Sequence, residues 1–462
     1  MTTTKVSLQV SPQVSPSPIP NSDVASLTSS LVDRDAYLTA LLNTLETGHV
    51  VSLDWLKGIK ESAANLVRHS TLPTNRDEEW RFTDLSALKQ VQFNHVEMGK
   101  FALPNIEFLP ETENSRLVFV NGIYEPKLSS VSGLPAGILV TNLSNLPAEY
   151  TEKIPEYFAQ AEGALEVFTA LNTAIAPDAA VIWVAKNVVV ETPIHLLYVT
   201  VGETPVISQP RCLVVAETGS QVTFVEEFVS GKISVSLEEG VYFANAVTEI
   251  WIAENASVNH TRVQNDSKAA FHIGKTAVTQ GRYSRYTCNT ISIGGKLSRH
   301  NLEILQTGEQ TETTLNGLSM IKDSQIADMH SAIALNHPYA IGKQLQKNIV
   351  GDKAHAIFNG KVFVPKPAQM TDAAQLNRNL LLSPKARVDT KPQLEITADN
   401  VKCAHGATVS QLEDDEIFYL QSRGINESDS RNLLIYAFAA EIINNIPVTS
   451  LRENLLTTVQ QF

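Results

Sequence analysis

The chain has 462 residues, enough for two or three domains or for one extended repeat architecture with flanking pieces. Hydrophobic residues make up 43% and charged residues 18%, a balance that excludes a chain disordered along most of its length. The formal net charge is -13 and Lys and Arg form no run, so neither nucleic acid nor an anionic membrane is an expected partner, and no apolar stretch approaches the length of a membrane span.

Residues 1–30 lack a basic start followed by an apolar core, so they read as a disordered tail and not as a secretory signal. Only Cys212, Cys288 and Cys403 are present, with no CxxC pair, which points to a reducing, cytoplasmic setting without a disulfide framework. Over 31–67, Tyr37, Leu38, Leu41, Leu42 and Leu45, then Leu53, Leu56, Ile59, Ala63 and Leu66, recur at helical spacing and predict two amphipathic helices. Pro73 and Asn75 break the pattern ahead of Asp77-Glu-Glu-Trp-Arg-Phe-Thr-Asp-Leu85, an unusual mix of charge and aromatics. An N-terminal helical domain is expected over 31–115.

From 116 to 410 the texture changes to short alternating or wholly apolar runs between Gly, Asn and Asp, which are strand signals with almost no helical periodicity. A weak echo relates Val215-Ala-Glu-Thr-Gly-Ser-Gln-Val222 to Ile252-Ala-Glu-Asn-Ala-Ser-Val-Asn259, with a fainter copy at Thr397-Ala-Asp-Asn400. Such an echo fits the rungs of a parallel β-helix, and on this pattern alone a sandwich or barrel stays open. His272-Ile-Gly-Lys-Thr276 is no phosphate-binding loop, because Ala269 stands where the earlier Gly is needed. GxGxxG, GxSxG and HExxH are absent as well. His330, His337 and His355 are spaced like residues of successive rungs and turns, and Cys212 and Cys288 read as small core residues.

Cys403 and His405 stand two apart in Asn400-Val-Lys-Cys-Ala-His-Gly-Ala-Thr408, after the strand-like Gln393-Leu-Glu-Ile-Thr397. In extended backbone both side chains share a face, and thiolate with imidazole suits iron or zinc. Two ligands are half a site, so a second chain would have to complete it. The alternative is a buried Cys with a His capping a turn at Gly406. A C-terminal helical domain follows over 411–462: acids at 414–416 open a helix, Gly424 stops it, and the run 433–443 is apolar almost all round. Such a helix needs cover on both faces, from this chain or from a partner.

The stretches Asn359-Gly-Lys-Val, Thr371-Asp, Asn379-Leu-Leu-Leu-Ser383, Asp389-Thr-Lys-Pro-Gln-Leu-Glu-Ile396, Val401-Lys-Cys-Ala-His-Gly-Ala-Thr408 and Phe418-Tyr-Leu-Gln-Ser-Arg-Gly424 occur in an order that resembles the SufB/SufD family of iron–sulfur cluster assembly. Asp328-Met-His330, His337-Pro338 and Gln344-Leu-Gln-Lys347 extend the likeness, while Met370, Gly342 and Gln346 depart from it. Leu72-Pro-Thr-Asn-Arg-Asp-Glu-Glu-Trp-Arg-Phe-Thr-Asp-Leu85 is similar to the SufD branch. The resemblance implies a mainly β fold, with a right-handed parallel β-helix (β-solenoid) core between N-terminal and C-terminal α-helical domains. It implies a non-catalytic scaffold that pairs with SufB through the solenoid, or with a second copy of itself when alone. The ATPase SufC is expected on the C-terminal helices, at Phe438, Leu434, Tyr436 and Ile442. No permanently bound cofactor is implied; iron or a nascent cluster would pass through the SufB interface at His405, with Cys403 beside it, and the chain would aid iron acquisition. The competing readings are a stand-alone β-helix enzyme acting on polysaccharide and a homodimeric SufB-like scaffold.

Overall fold

The structure, a computed structural model, describes residues 34–44, 53–94, 106–202, 204–231 and 240–462. The expected tail over 1–30 and the helical position Leu45 lie outside them. From Arg211–Ala216 onward, consecutive strands alternate between two sheets, and within each sheet the neighbours run parallel. Ser257–Asn265, for example, pairs with Gln221–Ser230 on one side and Arg285–Ser292 on the other, while the intervening Phe271–Gln280 belongs to the opposite sheet. This is the parallel β-solenoid, and the sandwich and barrel alternatives fall away.

Each rung turns one corner through a left-handed residue: Asn187, Gly219, Asn255, Tyr283, Gln310, Tyr339 and Met370 all have positive φ. Their amides bond to the next rung, Gly219 N–H to Glu254 O, Asn255 to Arg282, Tyr283 to Glu309, Gln310 to Pro338, Tyr339 to Gln369 and Met370 to Asn400. Asn and Gly adopt this conformation readily, and the bulkier residues are held there by the ladder itself. The echo between 215–222 and 252–259 does fall on successive rungs, but one residue out of register, since Val215 faces Trp251 and Val222 faces Val258.

The interior changes character along the coil. Early rungs fill it with Leu196, Val214, Phe224 and Ile250, a contiguous apolar core. From Ile341–Val350 onward amides take over: Gln375 Nε2 donates to Gln344 Oε1 at 2.9 Å, and Asn348 Nδ2 donates to Asn379 Oδ1 at 2.6 Å. Gln346 fits because its register neighbour is Gly317; a Cβ there would lie 1.8 Å from Gln346 Oε1.

Helices cover the outer faces. Asp35 caps helix α1 (Ala36–Asn43), accepting from the amides of Tyr37 and Leu38. Helices α1, α2 (Asp54–His69) and α3 (Val167–Ile175) pack on the first sheet, where Leu38, Val67 and Leu171 share a core with Phe243, Phe271 and Leu297. Helix α3 lies within the stretch read as all-β. Its nine residues set Val167, Phe168, Leu171 and Ile175 on one side and Thr169, Asn172 and Thr173 on the other, but two and a half turns are too short for that period to stand out among neighbouring strand signals, and both sides are largely buried between α2 and the sheet. The Asp77–Leu85 segment straps across the same sheet: Trp80 lies 3.9 Å from the Arg299 guanidinium, Glu79 sits 3.1 Å from His330 Nδ1, and Thr83 donates to Asp328. On the second sheet, α4 (Asp414–Ser422) keeps the expected start and stop, α5 (Glu427–Ile443) contains the apolar run 433–443, and α6 (Thr449–Gln460) is a third helix that was not expected. Gly424 has φ +87 and Asn426 caps α5 through the Asp429 amide.

Candidate functional site at the open end of the solenoid

Strand pairing stops abruptly at the C-terminal end. Among the described residues, Arg387–Ile396 pairs only with His355–Val364, and Lys402–Gln411 only with Asp372–Leu381. Pro392, which lacks an N–H, is compatible with its strand because that strand is an edge. In the last strand the alternation that buries Ala373, Gln375, Asn377 and Asn379 one rung below continues at Cys403, His405, Ala407 and Val409. Among the described residues no further rung covers these positions, and Val409 is 51% exposed and every residue of 407–411 is exposed.

Cys403 and His405 therefore share a face, as their spacing predicts. Cys403 is half-buried against the interior core, and burial pushes its thiol up; the Asp372 carboxylate adds to this and a backbone hydrogen bond from Ala373 opposes it. His405 is exposed, sits in mid-strand and has no hydrogen bond within the chain among the described residues. The turn-capping alternative fails, because Gly406 is a strand residue opposite Leu376. No group of three His, Cys, Asp or Glu side chains with metal-binding geometry occurs among the described residues. The end thus offers one imidazole and one protonated thiol to something arriving from outside.

A second cysteine–histidine pair lies deep in the same sheet. His260, Cys288, Leu315, Gln344, Gln375 and His405 occupy one interior column, rung after rung. Cys288 Sγ is 3.7 Å from His260 Nδ1, His260 Nε2 is 2.9 Å from Glu226 Oε2, and the Tyr286 hydroxyl is 3.0 Å from Nδ1. Burial would strip the His260 proton, yet Cys288 and Glu226 outweigh it and hold its pKa at about 9. Burial would raise the Cys288 pKa; His260 outweighs it and holds the thiol below its ordinary value. Cys288 is a core residue, as expected, with a thiol whose proton His260 loosens. Its partners are one rung apart in sequence, so only the rung length would have revealed them. Cys212, whose thiol burial pushes far up, is a plain core thiol.

The C-terminal helices redistribute the expected SufC residues. Ile442 is fully buried against this chain's own sheet, beside Ile349 and Met320, so it faces no partner. Phe438 is half-buried under Lys347, whose Nζ lies 4.1 Å from the ring centroid and donates to Phe438 O at 2.9 Å. Leu434 and Tyr436 are also half-buried. The exposed apolar residues of these helices are Phe418 at 70%, Tyr419 at 57% and Leu433 at 45%. The apolar run of α5 thus finds much of its cover within the chain.

Two family descriptions match this sequence, the SufBD core domain of the SUF system for FeS cluster assembly over residues 198–438 and the SufBD protein N-terminal region over 35–196. An iron–sulfur cluster assembly SufBD family protein of Synechocystis is 49% identical over 86% of this chain and 88% of its own. Chloroplastic ABCI7 of Arabidopsis thaliana is 38% identical over 86% and 84%, and the iron–sulfur cluster assembly protein SufD of Escherichia coli is 33% identical over 84% and 89%. Joined to the solenoid between helical ends, these likenesses show that the chain belongs to the SufB/SufD family of iron–sulfur cluster assembly proteins.

Proposed function

We propose that this chain is the SufD-type, non-catalytic scaffold subunit of a cytoplasmic SufB–SufC–SufD complex, with SufB docked on the open end of the solenoid and a cluster assembled across that junction. The observation that carries the reading is the pair of unpaired edge strands, Arg387–Ile396 and Lys402–Gln411, with Cys403 and His405 on the uncovered inward face. Edge strands present free N–H and C=O groups that another solenoid can continue, and such edges are hazardous unless covered. Thr390 Oγ1, buried without a partner at this end, is a further group that an added rung can satisfy.

Iron and sulfide are cargo in this reading. The His405 imidazole supplies one ligand, and thiolates from SufB supply the rest, because the Cys403 thiol is held protonated by burial. SufC docks on the α4–α5 surface that carries Phe418, Tyr419 and Leu433, and ATP hydrolysis belongs to SufC. The domain division follows: a helical piece over 31–115, the solenoid over 116–410 and the SufC-docking helices over 411–462.

Co-expression with SufB and SufC tests the arrangement. Val409→Lys places a charge on the exposed last strand and is expected to abolish recovery of SufB while SufC stays bound. Leu433→Asp is expected to lose SufC while SufB stays bound. If Val409→Lys leaves SufB in the complex, or if the wild-type chain remains paired with itself in the presence of SufB, the docking assignment is wrong.

A further inference from the structure

The amide ladder inside the late rungs ends one hydrogen bond short. Gln344, Gln375 and His405 follow one another in a single inward column, from strand to parallel strand. Ser331, on the opposite sheet, donates to Gln344 Oε1 at 3.1 Å, and Gln375 Nε2 donates to the same oxygen at 2.9 Å. Gly360 makes room for the Gln375 amide, since a Cβ there would lie 2.4 Å from Gln375 Nε2. Gln375 is only 2% exposed, and its Oε1 is buried without a hydrogen-bond partner among the described residues. Buried carbonyl oxygens are seldom left so.

The amide itself indicates which way that oxygen looks. A primary amide is planar, with one N–H antiparallel to its C=O, so an amide that donates down a ladder presents its oxygen up it. Gln375 donates toward the preceding rung, and its oxygen makes no bond there, although Gln344 Nε2 is a donor in that rung. The oxygen is thus left for the following rung, the last of the coil. Thr390 and Pro392 stand there over Phe358 and Gly360, and Cys403, His405 and Ala407 stand over Ala373, Gln375 and Asn377. Pro392 and Ala407 have no side-chain donor, and Thr390 and Cys403 stack on other residues. His405 stacks on Gln375 itself, across the strand spacing of about 4.8 Å, and its ring has no hydrogen bond within the chain among the described residues.

We propose that Gln375 is a positioning residue for His405: Gln375 Oε1 accepts one ring N–H, which fixes the imidazole and its tautomer and leaves the other ring nitrogen for iron. This role rests on His405 being the ligand that the chain gives to the cluster. The complex with SufB and SufC, reconstituted with ferrous iron and sulfide, tests it when the cluster absorbance is titrated with EDTA. Gln375→Met removes the oxygen at nearly unchanged volume and is expected to lower the EDTA midpoint about tenfold, the usual size of an outer partner's effect on a metal-binding histidine. Gln375→Asn draws the oxygen back by one methylene with a smaller change to the interior, and a fall in the same direction is expected of it if the first variant does not assemble. Combined with His405→Ala, neither change should lower the midpoint further, because each acts through the imidazole. An unchanged midpoint in whichever variant assembles, or a further fall in the His405→Ala background, overturns the proposal while the reading of His405 stands. An unchanged midpoint in His405→Ala alone overturns both.

Discussion

The two cysteine–histidine pairs of this solenoid lie in one sheet and have opposite chemistry. At the sealed pair, Cys288 and His260 face each other across adjacent strands, with Glu226 behind the imidazole, and full burial makes the protonation of each depend on the others. At the open pair, Cys403 and His405 are two apart on one strand, the thiol is pushed up, and the imidazole has no partner within the chain among the described residues. The sealed pair has its partners already and can offer nothing to an incoming metal without giving up the contacts among Cys288, His260 and Glu226. The open pair lacks partners because the coil stops one rung too soon to supply them. Position along the coil, and not residue type, separates the pair that is closed within the fold from the pair left without partners in the chain.

Breaking the sealed network is expected to have the largest effect. Glu226→Ala removes the buried carboxylate that both His260 Nε2 and the Thr248 hydroxyl depend on, at a cost of about 3–5 kcal/mol, read as a lowered urea midpoint. The same network sets a pH dependence. The His260 pKa is raised from 6.5 to about 9, so the stability it supplies is complete below about pH 6.5 and is lost as pH rises through about 9. Melting temperature should therefore fall on the alkaline side. Cys288→Ala should move that fall to lower pH, because the Cys288 sulfur is the leading group that holds the proton on. A midpoint that does not move would show that the thiol is not charged in the folded chain.

The C-terminal helices sharpen the contrast at intermediate size. Phe438→Asp puts a carboxylate in a half-buried site beneath Lys347 and should cost about 1–3 kcal/mol, whereas Leu433→Asp on the exposed face should stay within about 0.5 kcal/mol. Thermal unfolding of the two variants side by side decides whether Phe438 serves this chain's own packing. At the small end, His405→Ala and Cys403→Ser should each change stability by no more than about 0.5 kcal/mol, since one residue is exposed and the other is replaced by a near-isostere at a half-buried edge.

Much of this was legible in residue pattern. Alternating short runs announced the strands, the acids at 414–416 and Gly424 bracketed α4, and the two-residue spacing of Cys403 and His405 placed both on one face. Features that depend on rung length were not legible. The link between Glu226, His260 and Cys288, the docking of Glu79 and Thr83 on His330 and Asp328, and the true register behind the 215–222 echo all join residues whose separation only the coil defines. Helix α3 was hidden for a different reason, since its period runs for only nine residues, Val167–Ile175, among strand-like runs. The apolar run of α5 pointed to a partner because sequence cannot say which chain provides the cover, and for Ile442 that chain is this one.

The most direct test is iron–sulfur absorbance of the reconstituted SufB–SufC complex with this chain carrying His405→Ala, measured together with the recovery of all three subunits. The expected result is a fully assembled complex with cluster absorbance strongly reduced, and a milder loss for Cys403→Ser, whose thiol burial keeps protonated. Normal cluster absorbance in a fully assembled His405→Ala complex would contradict the assignment of the open end as the place where this chain meets the cluster.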